Sequence, residues 1–206
     1  MGSLPDEFYR ISKLPPYVFA VVNEMRAKLR AAQYDVVDFG MGNPDGATPR
    51  SILIQNHGIG MQPLSYFGTA AQKKKYQSKL ATGEWIGCMG LTEPGCGSDA
   101  AALTTTAVRK GDKYILNGSK TFITNAPLSE IFIIFATLDK GKKHKGITTF
   151  IVERGFPGIS TGKPMHKMGC RASATSEIFL EECEVPVENC LGGEGNGWLI
   201  ALGGVE

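Results

Sequence analysis

The chain has no apolar run long enough to cross a bilayer, and Met1 to Arg10 is polar and mixed in charge, unlike a secretory leader. It carries little net charge: 22 basic and 20 acidic residues leave +2, which gives no reason to expect nucleic acid or an anionic membrane as partner. Three scattered histidines offer no metal-ligand spacing. The five cysteines (Cys88, Cys96, Cys170, Cys183, Cys190) are odd in number and include no C-x-x-C pair. That argues against a structural zinc site and a disulfide framework, and it fits a reducing, cytoplasmic location. Basic residues cluster only at Lys73-Lys74-Lys75 and Lys140-Gly141-Lys142-Lys143-His144-Lys145, both among polar neighbours and both read as solvated surface.

What is present suits a globular protein. At 206 residues, with 42% hydrophobic and 20% charged side chains, the chain can bury a sizeable core in one large or two small domains. Val18, Val21, Val22, Met25, Leu29 and Ala32 have the spacing of an amphipathic helix. Residues 35–39 suggest a short strand and residues 40–46 a turn-rich loop. Thr69-Ala70-Ala71-Gln72 reads as a capping box opening a short helix, Ala70 to Leu80, ahead of Gly83. From Trp85 the pattern becomes β-rich, with candidate strands at 85–91, 103–109, 112–117, 120–124, 130–138, 147–153, 158–163 and 176–184. The run Ile131-Phe132-Ile133-Ile134-Phe135 predicts a strand buried on both faces. Many short strands between turns suggest a small barrel or two packed sheets. Residues 197–204 read as the first turns of a helix.

Two stretches carry the chemistry. Leu91-Thr92-Glu93-Pro94-Gly95-Cys96-Gly97-Ser98-Asp99 is a polar, glycine-rich turn following a strand, where backbone N–H groups can approach a ligand. Asn117-Gly118-Ser119-Lys120-Thr121-Phe122-Ile123-Thr124-Asn125-Ala126 is the second. Together they resemble the two flavin-contacting segments of the acyl-CoA dehydrogenase middle domain, T-E-P-x-x-G-S-D and G-x-K-x-[WF]-I-T-N. The resemblance continues through residues 144–153, Pro157-Gly158, residues 167–173, Val185-Pro186 and residues 191–197. It implies an α+β chain: N-terminal helical segments, then a β-barrel or β-sandwich middle domain, with the C-terminal helical domain absent. The expected divisions are 1–49, a partial helical domain at 50–84, the middle domain at 85–190, and the start of a truncated helical region at 191–206. Residues 1–49 instead resemble the start of a pyridoxal-phosphate aminotransferase of the alanine or diaminopimelate type, with Gly42 at a glycine near the substrate carboxylate. The lysine and large domain of that family have no counterpart in this sequence, so no aminotransferase activity is expected.

The dehydrogenase resemblance implies FAD as cofactor and α,β-dehydrogenation of an acyl-CoA thioester, in fatty-acid or branched-chain amino-acid degradation. It places Met89, Leu91, Thr92, Gly97, Ser98, Phe122, Ile123 and Thr124 at the flavin, with Ser98 also at the CoA part of the substrate. Thr92 and Thr124 would offer hydroxyls to flavin nitrogen or oxygen, and Phe122 would stack on its apolar end. Read without the family, the threonines are ordinary strand threonines, Phe122 is core, and Ser98 is a turn or N-cap hydroxyl. Glu93 is expected to be structural rather than the general base. Glu206 matches no family base, and no catalytic residue is assigned. The family is homotetrameric and passes electrons to an electron-transfer flavoprotein, but a truncated chain need not assemble. Three readings stay open: a dehydrogenase portion inactive alone, a non-catalytic flavin- or acyl-CoA-binding module, and a chimeric or truncated reading frame without activity.

Overall fold

A computed structural model describes Lys28, residues 60–171 and residues 173–203. Apart from Lys28, these belong to the second of two units of the chain, Asn43–Glu206. The expected N-terminal helix, the 35–39 strand, the turn at Gly42 and Glu206 lie outside the described residues. No described helix is long and apolar enough to cross a membrane.

Helix α1 (Gln62–Phe67) precedes α2, which starts as Ala70–Gln72, widens into a π-helical stretch Lys73–Gln77 and ends as Ser78–Thr82. The capping box is present: Thr69 N–H donates to Gln72 Oε1 at 2.9 Å, and Gln72 N–H to Thr69 Oγ1 at 3.2 Å. Gln72 is buried because its amide also donates to the Glu188 and Cys190 carbonyls, tying the helix to the sheet. Gly83 ends α2 in the left-handed conformation that glycine adopts at least cost.

The strands are β1 (Gly87–Gly90), β2 (Thr106–Lys110), β3 (Lys113–Thr124), β4 (Ile131–Thr137), β5 (Ile147–Glu153), β6 (Ile159–Thr161), β7 (Thr175–Pro186) and β8 (Cys190–Leu191). They form one eight-stranded sheet in the order β6-β7-β3-β2-β4-β5-β8, with β1 paired parallel to β4. Two expected strands, 112–117 and 120–124, are a single strand: Gly118 does not end it but lets it pass close to Thr105, where a Cβ would lie 2.5 Å from Thr105 Oγ1. The short β8 gave no alternation to read. Helix α3 (Gly197–Gly203) closes the described chain.

Strand β4 is buried along its whole length, as its apolar run predicts. Its alternate residues feed two cores, because successive side chains leave opposite faces of a strand. Phe132, Ile134 and Ala136 join Leu116, Ile123, Ile178, Leu180 and Val185 from β3 and β7. Ile131, Ile133 and Phe135 join Leu64, Tyr76, Leu80 and Ile200 from the helices. The sheet therefore folds over one core, and the helices cover the outer face of β4 and β5.

Candidate functional site

The site grows from the end of β1. After Gly90 the chain leaves the ladder and makes a tight hairpin, with Glu93 N–H donating to Cys96 O at 3.0 Å and Cys96 N–H to Glu93 O at 3.1 Å across Pro94-Gly95. Gly97, Ser98 and Asp99 follow, exposed, before a 3₁₀ turn Ala100–Ala102. Across from this turn runs the last part of β3. There the pairing with β7 slips: Lys120 faces Ile178 and Ile123 faces Ser176, so β3 holds one extra residue. The bulge interrupts the period of two. Lys120 is fully buried, whereas Phe122, which strict alternation would place on the same face, is 69% exposed with φ +57°. The reading of Phe122 as core is thereby ruled out.

Between the two segments lies a groove of about 170 Å³. One side is Gly87, Cys88, Met89, Leu91 and Thr92; the other is Phe122, Ile123, Thr124 and Asn125. Six of the eight residues singled out in the sequence, Met89, Leu91, Thr92, Phe122, Ile123 and Thr124, line this one groove. Gly97 and Ser98 stand outside it on the exposed end of the signature turn. Among the described residues, no protein group bonds the Thr92 or Thr124 hydroxyl, and Asn125 Oδ1 is buried without a partner. A buried amide oxygen with nothing to accept from is costly. Asn125 itself sits at φ +67°, anchored by its N–H to Ala174 O at 2.8 Å.

Two direct links hold the sides together. Thr121 N–H donates to Thr92 O at 2.9 Å. Lys120 Nζ lies 2.8 Å from Glu93 Oε1 and also donates to Leu91 O at 3.3 Å. Both charged side chains are buried. Glu93 is saturated: Oε1 also accepts from Thr105 N–H and Oγ1–H, and Oε2 accepts from Thr104 N–H and Oγ1–H. Burial pushes its carboxyl upward, but the Lys120 charge and the bonds from Lys120, Thr105 and Thr104 outweigh that and hold it at about 2. Burial draws the Lys120 ammonium downward, opposed by the Glu93 charge beside it. A carboxylate held at about 2, with both oxygens already accepting hydrogen bonds, is too weak a proton acceptor for a general base. Glu93 is thus structural, as expected. The floor residue Cys88 is no nucleophile either, since burial raises its thiol to about 12.

Lys120 and Asn125 were visible in the sequence only as letters of the second segment. A lysine at an inward strand position, paired with an acid in the preceding turn, was the signal for the first. Nothing in the sequence marks the unpartnered oxygen of the second. Among the described residues no cluster of histidine, cysteine or acidic side chains has the makings of a metal site.

Residues 88–183 match the family model of the acyl-CoA dehydrogenase middle domain. This part of the chain is a middle domain of that type. A short-chain specific acyl-CoA dehydrogenase of Clostridium acetobutylicum is 53% identical over 139 residues, 68% of this chain and 37% of that protein. The solved butyryl-CoA dehydrogenase of Megasphaera elsdenii superposes with a TM-score of 0.69 at 37% identity, covering 91% of this chain and 55% of that one. An acyl-CoA dehydrogenase of Bacillus anthracis, solved as a complex with FAD, gives a TM-score of 0.66 at 40% identity over 75% of this chain and 29% of that one. The chain thus spans little more than a third of the length of the first of these relatives.

Proposed function

We propose that the groove between the signature turn and the end of β3 holds the ring of FAD, and that the chain contributes this cofactor site to α,β-dehydrogenation of an acyl-CoA thioester. One observation carries the reading: Thr92 and Thr124, 32 positions apart, put on one groove two hydroxyls that have no hydrogen-bond partner among the described residues. The donor set fits the group. Thr92 and Thr124 meet polar ring atoms; Met89, Leu91 and Ile123 give apolar contact; Phe122 offers an exposed aromatic face; and Asn125 supplies an acceptor lacking a donor. Gly97 and Ser98, on the exposed turn beyond the groove, suit the phosphates of the cofactor or the CoA part of the substrate.

Bound FAD supplies the hydride acceptor. The chain's own residues orient it: the hydroxyls fix the in-plane position, and the buried Glu93–Lys120 pair keeps the two sides at a constant distance. The residues lining the groove include no carboxylate, so this surface binds and orients but does not take the α proton. Electrons leave, on this reading, to an electron-transfer flavoprotein.

The test is the visible spectrum of the purified chain after saturation with FAD and gel filtration. Retained oxidised-flavin bands, weakened at least tenfold in affinity by Thr92→Val with Thr124→Val, are expected. No retained colour at any FAD excess overturns the reading. Bleaching by butyryl-CoA under anaerobic conditions would extend it from cofactor binding to complete turnover.

A further inference from the structure

The buried ion pair does more than hold two segments together. Lys120 Nζ bonds Glu93 Oε1 and, with the same ammonium, the carbonyl of Leu91. That carbonyl belongs to the peptide joining Leu91 to Thr92, both residues of the groove. The peptide is trans, as are all the described ones. In a trans peptide C=O and N–H point in opposite directions. The Leu91 oxygen faces the buried ammonium, so the Thr92 N–H faces away from it. Charge placed on the oxygen of an amide draws electrons toward that oxygen and strengthens the N–H as donor. With Lys120 fully buried, water does not screen the effect.

We infer that Lys120 is a positioning residue of the groove: held by Glu93, its ammonium fixes and polarises the Leu91–Thr92 peptide, so that the Thr92 N–H favours a bound group that gains negative charge. Glu93 has four hydrogen-bond donors without it, so the turn needs the ammonium as a counter-charge rather than as a further donor, and the bond to Leu91 O stands as a separate contact. The threonines hold the carboxylate, the carboxylate holds the ammonium, and the ammonium holds the peptide. If the ligand is the FAD proposed above, the reduced flavin is favoured over the oxidised one.

The inference rests on that reading only for its redox readout, and its test has two arms. The first needs no flavin. In the full chain, Lys120→Gln keeps a donor for Glu93 but removes the charge, while Lys120→Arg keeps the charge. Amide exchange at Thr121, whose N–H bonds Thr92 O, is followed against exchange at Ile133 in the core. Lys120→Gln is expected to accelerate Thr121 at least tenfold over Ile133, and Lys120→Arg to restore it. Should Lys120→Gln fail to fold, Glu93→Asp, which retracts the carboxylate from the ammonium by one methylene, is expected to give the same local acceleration. Unchanged Thr121 exchange in the folded variant overturns the positioning. The second arm titrates the bound flavin's midpoint potential. Loss of the charge is expected to cut the preference for two-electron-reduced over oxidised flavin tenfold, about 30 mV, with Lys120→Arg near the parent. An equal potential in Lys120→Gln and Lys120→Arg overturns the polarisation. Failure of the parent chain to hold FAD removes the proposed cofactor and leaves the first arm to decide.

Discussion

The β4–β5 ladder and the β3–β7 ladder are built to opposite standards. The first pairs seven consecutive residues without a slip, from Ile131 with Glu153 to Thr137 with Ile147, and β4 is buried throughout. The second joins two twelve-residue strands through two register shifts. One lies opposite Glu182, at φ +50°, where Asn117 Oδ1 accepts from the Glu182 N–H; the other contains Phe122, at φ +57°. A left-handed conformation costs a residue with a Cβ roughly 1–2 kcal/mol. The strained ladder also contains the buried Lys120 and ends at the groove. Regular pairing supplies support, and the irregular strand, braced against it, presents the chemistry. The following measurements would separate the two roles.

The largest loss is expected on the irregular side. Lys120→Met leaves the Glu93 carboxylate buried without its counter-ion and should cost about 4 kcal/mol, read as a shift in the urea midpoint. A cost under about 1 kcal/mol would mean that Glu93 takes up a proton or water at no penalty, and the pair would lose its structural role.

Acid should find the same weak point. The folded Glu93 pKa, about 2, lies below its ordinary value of 4.5. The unfolded chain therefore takes up this proton first. The stabilisation is complete above about pH 4.5 and is lost as the pH falls toward 2, to the extent of about 3 kcal/mol. Unfolding free energies measured across that window should flatten in Glu93→Gln. An identical slope in the variant would assign acid sensitivity elsewhere.

The difference between the ladders also explains what could be read from sequence. The continuous apolar run 131–135 announced β4, and the Thr69–Gln72 pair announced the start of α2, because both signals are local. The two signature segments announced the groove through resemblance, and the fold brings six of their residues together. The bulge at Phe122 was not legible: it depends on the register with β7, more than fifty residues downstream, and no local pattern encodes it. Strict alternation would have hidden Phe122 beside Lys120. The merged β3 failed for a related reason, since a glycine that ends many strands here makes room for Thr105.

On the regular side, Ile133→Val removes one methylene from a fully buried position of β4 and should cost about 1 kcal/mol. The effect should stop there: FAD affinity is expected to stay within twofold of the parent, since Ile133 does not line the groove and meets it only through its ladder neighbour Met89. A large loss of flavin with this small loss of stability would show that the support transmits strain to the site and that the two ladders are not separable.

The smallest change in stability is expected at the most exposed aromatic of the groove. Phe122→Gly removes a side chain that is 69% exposed, so little burial is lost. It also relieves a left-handed residue at φ +57°, which glycine adopts freely, against a glycine entropy cost of roughly 0.5–1 kcal/mol in the unfolded chain. These terms nearly cancel, and the urea midpoint should move by the equivalent of no more than about 1 kcal/mol. FAD affinity should fall about fivefold, because an aromatic face contributes about 1 kcal/mol to stacking. A stable variant with full flavin affinity would leave the strained aromatic without a purpose at the groove. A variant that loses several kcal/mol would return Phe122 to the core and erase the contrast between the ladders.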